Sequence, residues 1–343
     1  MKCPICAEQA ALCWPNHPGY RDPTQYDIYS CMSCDMSFAE PFRSDDELYQ
    51  LIYECPASVP GYFLYELQAL EAKVKRKPLD MLAATSPVHW GVRAYLREHV
   101  TSRPLRIAEV GCGLGYLTHA LTKLGYDAIG LDISAKAVGA ARTRYGDHYL
   151  CTDLFEYSRT RAGTCDVVIM MEVIEHVSNP LDLVRAALRL LVPNGDLIIT
   201  TPNKSAYPAS AVWVSDLPPV HLSWFSERAI TVIAERLHAS VRYIDLRGSG
   251  LGLVLDSAKT DYSHPVKSHI LAADGEVIQR LDLKQQRRRR LHLRLASLGL
   301  WSVATRLNRR LKHFRRSVPA KESRQDSIFA ILTPKPFPGG ECP

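Results

Sequence analysis

No run of eighteen or more uncharged apolar residues occurs in the 343-residue chain, and a membrane-spanning helix is excluded on that ground. The opening MKCPICAEQA has no apolar stretch able to serve as a signal peptide, so the cytoplasm is the expected compartment. No internal repeat is found, which excludes solenoid and propeller architectures. No aromatic-interleaved RNA-reading motif is visible either, and this lowers the expectation of a nucleic-acid partner. Ten cysteines without a secretion signal read as metal ligands or buried thiols, not as a disulfide framework.

What is present is enough for one large core and a smaller satellite, since 46% of the residues are hydrophobic. The net charge of +6 is unevenly spread: residues 280–316 hold thirteen Lys/Arg against the single acid Asp282. A basic element on a mildly acidic body points to phosphate, whether of a lipid headgroup, a nucleic acid or a nucleotide-linked substrate.

Residues 1–40 are rich in Cys, Pro and aromatics with little helical periodicity, as expected of a zinc-ribbon-like module. Residues 41–104 read as a helical connector. Helix starts are expected at Ser44-Asp45-Asp46-Glu47 and at Ser86-Pro87, with helical composition over 62–77. From Leu105 onward short aliphatic runs alternate with helical stretches, which is the pattern of a parallel sheet with crossover helices. Strands are predicted at 106–110, 128–132, 148–151, 166–171, 196–201, 241–246 and 327–333. The fold class is therefore α/β, a Rossmann-like doubly wound, seven-stranded sheet over 105–334. A basic helical insert at 251–322 precedes the last strand.

Cys3-x2-Cys6 and Cys31-x2-Cys34 are two knuckles, in each of which a two-residue gap lets both sulfurs reach one tetrahedral ion. Four thiolates favour zinc or iron, and the lack of a redox partner motif favours structural zinc. The position after each knuckle is expected at positive φ; here it is Ala7 and Asp35, and Ala tolerates that conformation less well.

Glu109-Val-Gly111-Cys-Gly113-Leu-Gly115 closes the first strand of the sheet and opens a helix, so the chain turns sharply where a ligand can approach its backbone. Glu109 is placed to organise the loop or a bound amino-acid moiety. Asp132 ends the second strand, placed to accept hydrogen bonds from a ribose. Asp153 follows the third, where its side chain and the next backbone amide, that of Leu154, can hold an adenine edge. A dinucleotide-binding dehydrogenase is disfavoured, because the third-glycine spacing is absent and no hydride-transfer residues are evident.

These segments, with Asp166-Val-Val-Ile-Met-Met-Glu172-Val-Ile-Glu-His176 and Leu191-Val-Pro-Asn-Gly195, resemble class I S-adenosylmethionine-dependent methyltransferases, most closely the ubiquinone-biosynthesis O-methyltransferase branch. The resemblance covers about residues 105–250 and the last strand. It implies that Gly111, Gly113 and Gly115 bind the methionine part, Asp132 the ribose and Asp153 the adenine. The cysteine knuckles ahead of such a domain are similar to those of bacterial methyltransferases of sugar and cell-surface glycan pathways.

Methyl transfer from a sulfonium needs alignment and, for some acceptors, a base. His176 lies just after the fourth strand, and His221 lies in the loop following the fifth; each is a candidate base or a plain structural histidine. Tyr116 and Glu172 are candidates to contact the methionine carboxylate or the acceptor, and Trp213 and Trp224 stack on a sugar or simply pack. Leu300, Ala304, Leu307, Leu311 and Phe314 recur at helical spacing among arginines. The stripe either packs on the sheet with its arginines solvated, or lies on an anionic membrane surface as a peripheral contact at the inner membrane; Arg287–Arg290 gripping RNA phosphates is a third reading. The expected function is methyl transfer to a small-molecule acceptor, a sugar, cell-surface glycan precursor or lipid-linked intermediate. An RNA methyltransferase and a non-catalytic zinc-organised binding protein are the alternatives.

Overall fold

The structure, a computed structural model, describes residues 1–45, 47–48, 62–99, 101–207, 212–213, 217–251, 258–259, 269–278, 282–313 and 326–336. Asp46 of the expected first helix start, the side chain of Trp213, Phe314 and much of the 251–322 insert lie outside the described residues.

The N-terminal strands are β1 (Ala10–Pro18), β2 (Gln25–Cys31) and β3 (Ser37–Glu40). Helices α1 (Phe63–Val74), α2 (Pro78–Ala83) and α3 (Pro87–Glu98) follow. The next elements alternate: β4 (Arg106–Val110), α4 (Tyr116–Lys123), β5 (Asp127–Asp132), α5 (Ala135–Tyr145), β6 (Tyr149–Cys151) and α6 (Leu154–Thr160). Then come β7 (Cys165–Met171), α7 (Pro180–Arg189) and β8 (Leu191–Pro202). A two-residue pair, β9 (Val212–Trp213) with the later β12 (Ala258–Lys259), stands apart. β10 (Ser223–Trp224), α8 (Glu227–Arg236) and β11 (Ala239–Tyr243) precede it, and α9 (Leu283–Ser297), α10 (Trp301–His313) and β13 (Ser327–Pro334) complete the described elements.

The main sheet has seven strands in the order β11-β13-β8-β7-β4-β5-β6. β13 runs antiparallel to both β8 and β11, while β8, β7, β4, β5 and β6 are mutually parallel. This is the doubly wound sheet that the alternation predicts. Period-two alternation feeds two cores. Ala108, Val110, Val168 and Met170 face α7 and α8, whereas Ile107, Val167 and Ile169 face the helices α2 to α4. Strand order reverses between β4 and β7, and ligands of open α/β sheets bind at the strand C-termini beside such a switch.

Local capping explains several boundaries. Ser134, Asp153 and Ser226 accept hydrogen bonds from Ala137, Phe155 and Ala229 amides at the starts of α5, α6 and α8. β8 begins at Leu191, five residues before the predicted start. It runs through a bulge at Asn194, φ 64°, where the register against β7 jumps from Cys165↔Leu191 to Val167↔Asp196. The amphipathic stripe from Leu300 falls on α10, and a second helix of the basic insert, α9, precedes it. Gly299, φ 72°, ends α9 in a left-handed cap, with the Leu300 amide reaching back to the Leu295 carbonyl at 2.8 Å.

The N-terminal strands are joined to the main body. Their sheet takes a fourth member from far along the chain, in the order β1-β2-β3-β10, and Ile5, Met36 and Phe38 share one continuous core with β4, β7 and β8.

Candidate active site and cysteine centre

The glycine loop between β4 and α4 places Gly111, Gly113 and Gly115 at φ 72°, 49° and 77°. A side chain at Gly111 would strike Val173 and one at Gly115 would strike Tyr149, but a Cβ on Gly113 meets nothing within 4 Å. Gly113 therefore faces open space at the switch point, where a ligand can lie against the backbone. Asp132 holds this loop: its carboxylate accepts the Gly113 amide at 2.8 Å and the Ser134 amide at 2.8 Å, one on each oxygen. An ionised carboxylate has about four acceptor positions, so each oxygen keeps one for a diol. Burial raises the Asp132 carboxyl, while the two amides pull the other way.

Glu109 has a structural task. Its carboxylate accepts the amide of Thr118 at 2.8 Å and the Thr118 hydroxyl at 2.5 Å, tying β4 to the first turn of α4. Burial pushes it up to about 8 against those donors. It organises the loop, the first of the two roles its position allowed. Asp153 is exposed and spends one oxygen capping α6, with Leu154 buried beneath it.

A second cluster beside the loop is assembled from two distant segments. Glu172, the first residue beyond β7, has a positive φ of 53°, uncommon outside glycine and frequent where function imposes strain. Its carboxylate accepts the Thr200 hydroxyl at 2.8 Å, which ties it to β8. The next turn carries Glu175 and His176, and the loop before β10 brings His221 to them. His176 and His221 lie edge to face with ring centroids 4.7 Å apart, and ligand-type atoms of Glu175, His176 and His221 all fall within 4.8 Å of one another.

His176 Nδ1 is 2.5 Å from the carbonyl oxygen of Val220. A carbonyl only accepts, so Nδ1 carries a proton, and Nε2 lies 3.9 Å from a Glu175 oxygen. Glu175 is fully buried and also accepts the Thr201 hydroxyl at 3.0 Å. Burial pushes His221 down to about 3, so it is neutral at physiological pH. Tyr116 rests against the buried His89, ring centroids 5.7 Å apart, and Trp224 is packed in a core with Ile28 and Ala39 instead of lining an open surface.

The N-terminal strands grip this loop from two sides. The Tyr20 amide donates to the Pro218 carbonyl at 2.6 Å, the Ala39 amide to Leu222 at 2.9 Å, and the Leu222 amide to the Glu175 carbonyl at 2.8 Å. Lys204, just past β8, reaches Asp35 at 2.7 Å and the Ser30 hydroxyl at 3.1 Å.

Cys3, Cys6, Cys31 and Cys34 converge. Sγ–Sγ distances are 3.5 Å for Cys3–Cys34 and 3.4 Å for Cys6–Cys31, and all four sulfurs lie within 4.8 Å of one another. A zinc tetrahedron with bonds of about 2.3 Å sets its sulfurs roughly 3.8 Å apart, so the four residues fit that ion. Ala7 and Asp35 adopt φ 65° and 59°, the conformation expected after each knuckle. A hydrogen bond with Cys34 draws the Cys3 thiol down to about 5, and the same contact drives Cys34 up.

Sequence reasoning assigned Glu172 and His176 but passed over Glu175, the buried carboxylate between them in sequence. A Glu-His pair directly after a strand was the available signal. Lys204 and Thr201 carried none, because their roles exist only through partners distant in sequence.

The doubly wound sheet and its glycine loop are those expected of a class I S-adenosylmethionine-dependent methyltransferase domain. The chain matches, over residues 88–241, the family model described as a methyltransferase domain. It is 35% identical over 116 residues to the ubiquinone biosynthesis O-methyltransferase of Nitrosococcus oceani, covering 32% of this chain and 49% of that protein. To the same-named enzyme of Methylococcus capsulatus it is 33% identical over 132 residues, covering 37% and 54%. The chain thus spans about half the length of these curated relatives. A solved S-adenosylmethionine-dependent methyltransferase from Archaeoglobus fulgidus aligns over 80% of this chain and 99% of its own, at 14% identity and a TM-score of 0.42.

Proposed function

We propose that the chain transfers a methyl group from S-adenosylmethionine to a small-molecule acceptor: a sugar, a cell-surface glycan precursor or a lipid-linked intermediate. The observation that carries this reading is the Asp132 carboxylate clamped to the Gly113 amide at 2.8 Å, beside a loop with room for a ligand. S-adenosylmethionine, when bound, supplies an electrophilic methyl on a sulfonium. Gly111, Gly113 and Gly115 would let the methionine part lie against the backbone, Asp132 would accept the ribose hydroxyls, and Asp153 with the Leu154 amide would hold the adenine edge.

On the acceptor side His176 is the general base. Its Nδ1 proton is fixed by Val220, and Glu175 beside Nε2 stabilises the imidazolium formed when the acceptor gives up its proton. His221, held near 3 by burial, is too weak a base for that task and serves to position the acceptor and the His176 ring. Glu172 shapes the floor of the site from β7. We also assign structural zinc to Cys3, Cys6, Cys31 and Cys34, as the means by which residues 1–40 hold their shape.

A labelled-donor titration with the purified chain tests the reading. Saturable binding at micromolar donor concentration, with His176→Ala retaining donor affinity but losing transfer to any acceptor found, is the expected result. Absence of donor binding by the wild type defeats it.

A further inference from the structure

We propose that α9 and α10 form a docking face for an anionic lipid bilayer, with a groove between α1, α9 and α10 receiving lipid hydrocarbon. This stands independently of the methyl-transfer reading.

The helical pair is anchored by its inner side. Trp301 and Ala296 are buried against Leu67, Ser302 donates its amide at 2.8 Å and its hydroxyl at 2.7 Å to the buried Glu71, and the Arg289 guanidinium sits 4.7 Å over the Phe63 ring. That anchoring leaves a second apolar row unpacked. Leu291, Leu298 and Leu307 are 55%, 70% and 56% exposed, and Leu283, Leu300 and Val303 are exposed with them. The stripe therefore does not simply pack on the sheet. Contiguous exposed apolar surface on a soluble face marks a site of interaction.

Between the helices lies a groove of about 460 Å³, lined by Phe63, Leu64, Leu67, Leu291, Leu295 and Trp301, with Arg288 also on its wall. That volume falls within the roughly 300–1,000 Å³ of small-molecule sites.

Charge selects the occupant. Among residues 282–308 there are Lys284, Arg287, Arg288, Arg289, Arg290, Arg294 and Arg306 against the one acid Asp282. A second copy of this face would bring like charges together. An RNA backbone would satisfy the arginines but leave the leucines in water. An anionic bilayer takes both, the arginines at the phosphates and the leucines in the acyl boundary.

Sedimentation with vesicles tests this. The full chain is expected to partition onto phosphatidylglycerol-containing vesicles at low salt, to ignore pure phosphatidylcholine and to be released by high salt. The triple variant Arg287→Ala, Arg288→Ala, Arg290→Ala should lose about a hundredfold in partitioning, the product of about fivefold for each basic residue near an anionic surface. The variant Leu291→Ser, Leu298→Ser, Leu307→Ser keeps every charge and alters only exposed positions. It should lose about tenfold or more, with an unchanged circular dichroism spectrum. The proposal is overturned if the wild type does not partition, if both variants partition as the wild type does, if a ribosomal RNA fragment outcompetes the vesicles, or if the leucine variant abolishes self-association of the protein.

Discussion

Around the glycine loop the contacts are local: Glu109 holds Thr118, Asp132 holds Gly113 and Ser134, and Asp153 caps its own helix α6. In the histidine cluster Glu175 and His176 come from just beyond β7, and His221 from a loop that residues 20, 39 and 37–38 hold in place. A site for a common cofactor can be built from consecutive strand ends, whose spacing the sheet itself fixes. The loop carrying His221 could take one of many conformations, and here the N-terminal sheet holds it in one.

The comparison breaks most sharply at Asp132. Asp132→Ala removes both the amide clamp and the diol acceptor, and calorimetry should show donor affinity reduced about a hundredfold or more, the worth of two charge-assisted hydrogen bonds at about 1.5–3 kcal/mol each. Unchanged affinity would separate Asp132 from the donor site. Next comes Cys31→Ser, which should release metal and lower Tm by about 10 °C or more, while donor affinity stays within about threefold of wild type. If donor affinity fell as far as it does for Asp132→Ala, the two sides would be one unit and the contrast would be lost.

The smallest effect is that of pH. Burial drives His89 and His119 down to about 4 and His221 to about 3, so all three are neutral in the folded chain, whereas the unfolded chain takes up their protons below about pH 6.5. Stability therefore falls as pH drops through that value, on the order of 2 kcal/mol for each histidine by pH 4.5. Glu109, raised to about 8, works in the opposite sense and gains stability as pH falls from 8, but three groups outweigh one. Chemical denaturation at stepped pH should show this decline, and His221→Gln should reduce the net change by about half. A flat profile between pH 6.5 and 4.5 would mean that these rings are hydrated in the folded state.

The strand pattern, the glycine loop, the acids at strand ends and the cysteine knuckles were legible because each depends on spacing within a few residues: two for a strand face, three for a knuckle, one loop for a sharp turn. The predicted strands at 106–110, 128–132 and 327–333 fall on β4, β5 and β13. The stripe from Leu300 marked α10, but the separate helix α9 before it was not legible. Gly299 marks a possible stop, but whether a glycine ends a helix depends on what the following residues pack against.

Local chemistry in the sequence was thus enough to determine a doubly wound sheet with a glycine loop at its switch point and a four-cysteine cluster near the N-terminus. Only the tertiary structure decided that β10 completes the N-terminal sheet, that Glu175 is the carboxylate meeting His176 and His221, and that the leucines of α9 and α10 remain uncovered. Each depends on segments far apart in sequence: β10 on β3, His221 on Glu175, and Ser302 of α10 on Glu71 of α1. No periodicity encodes such a pairing, because it is chosen by how whole elements bury their surfaces together.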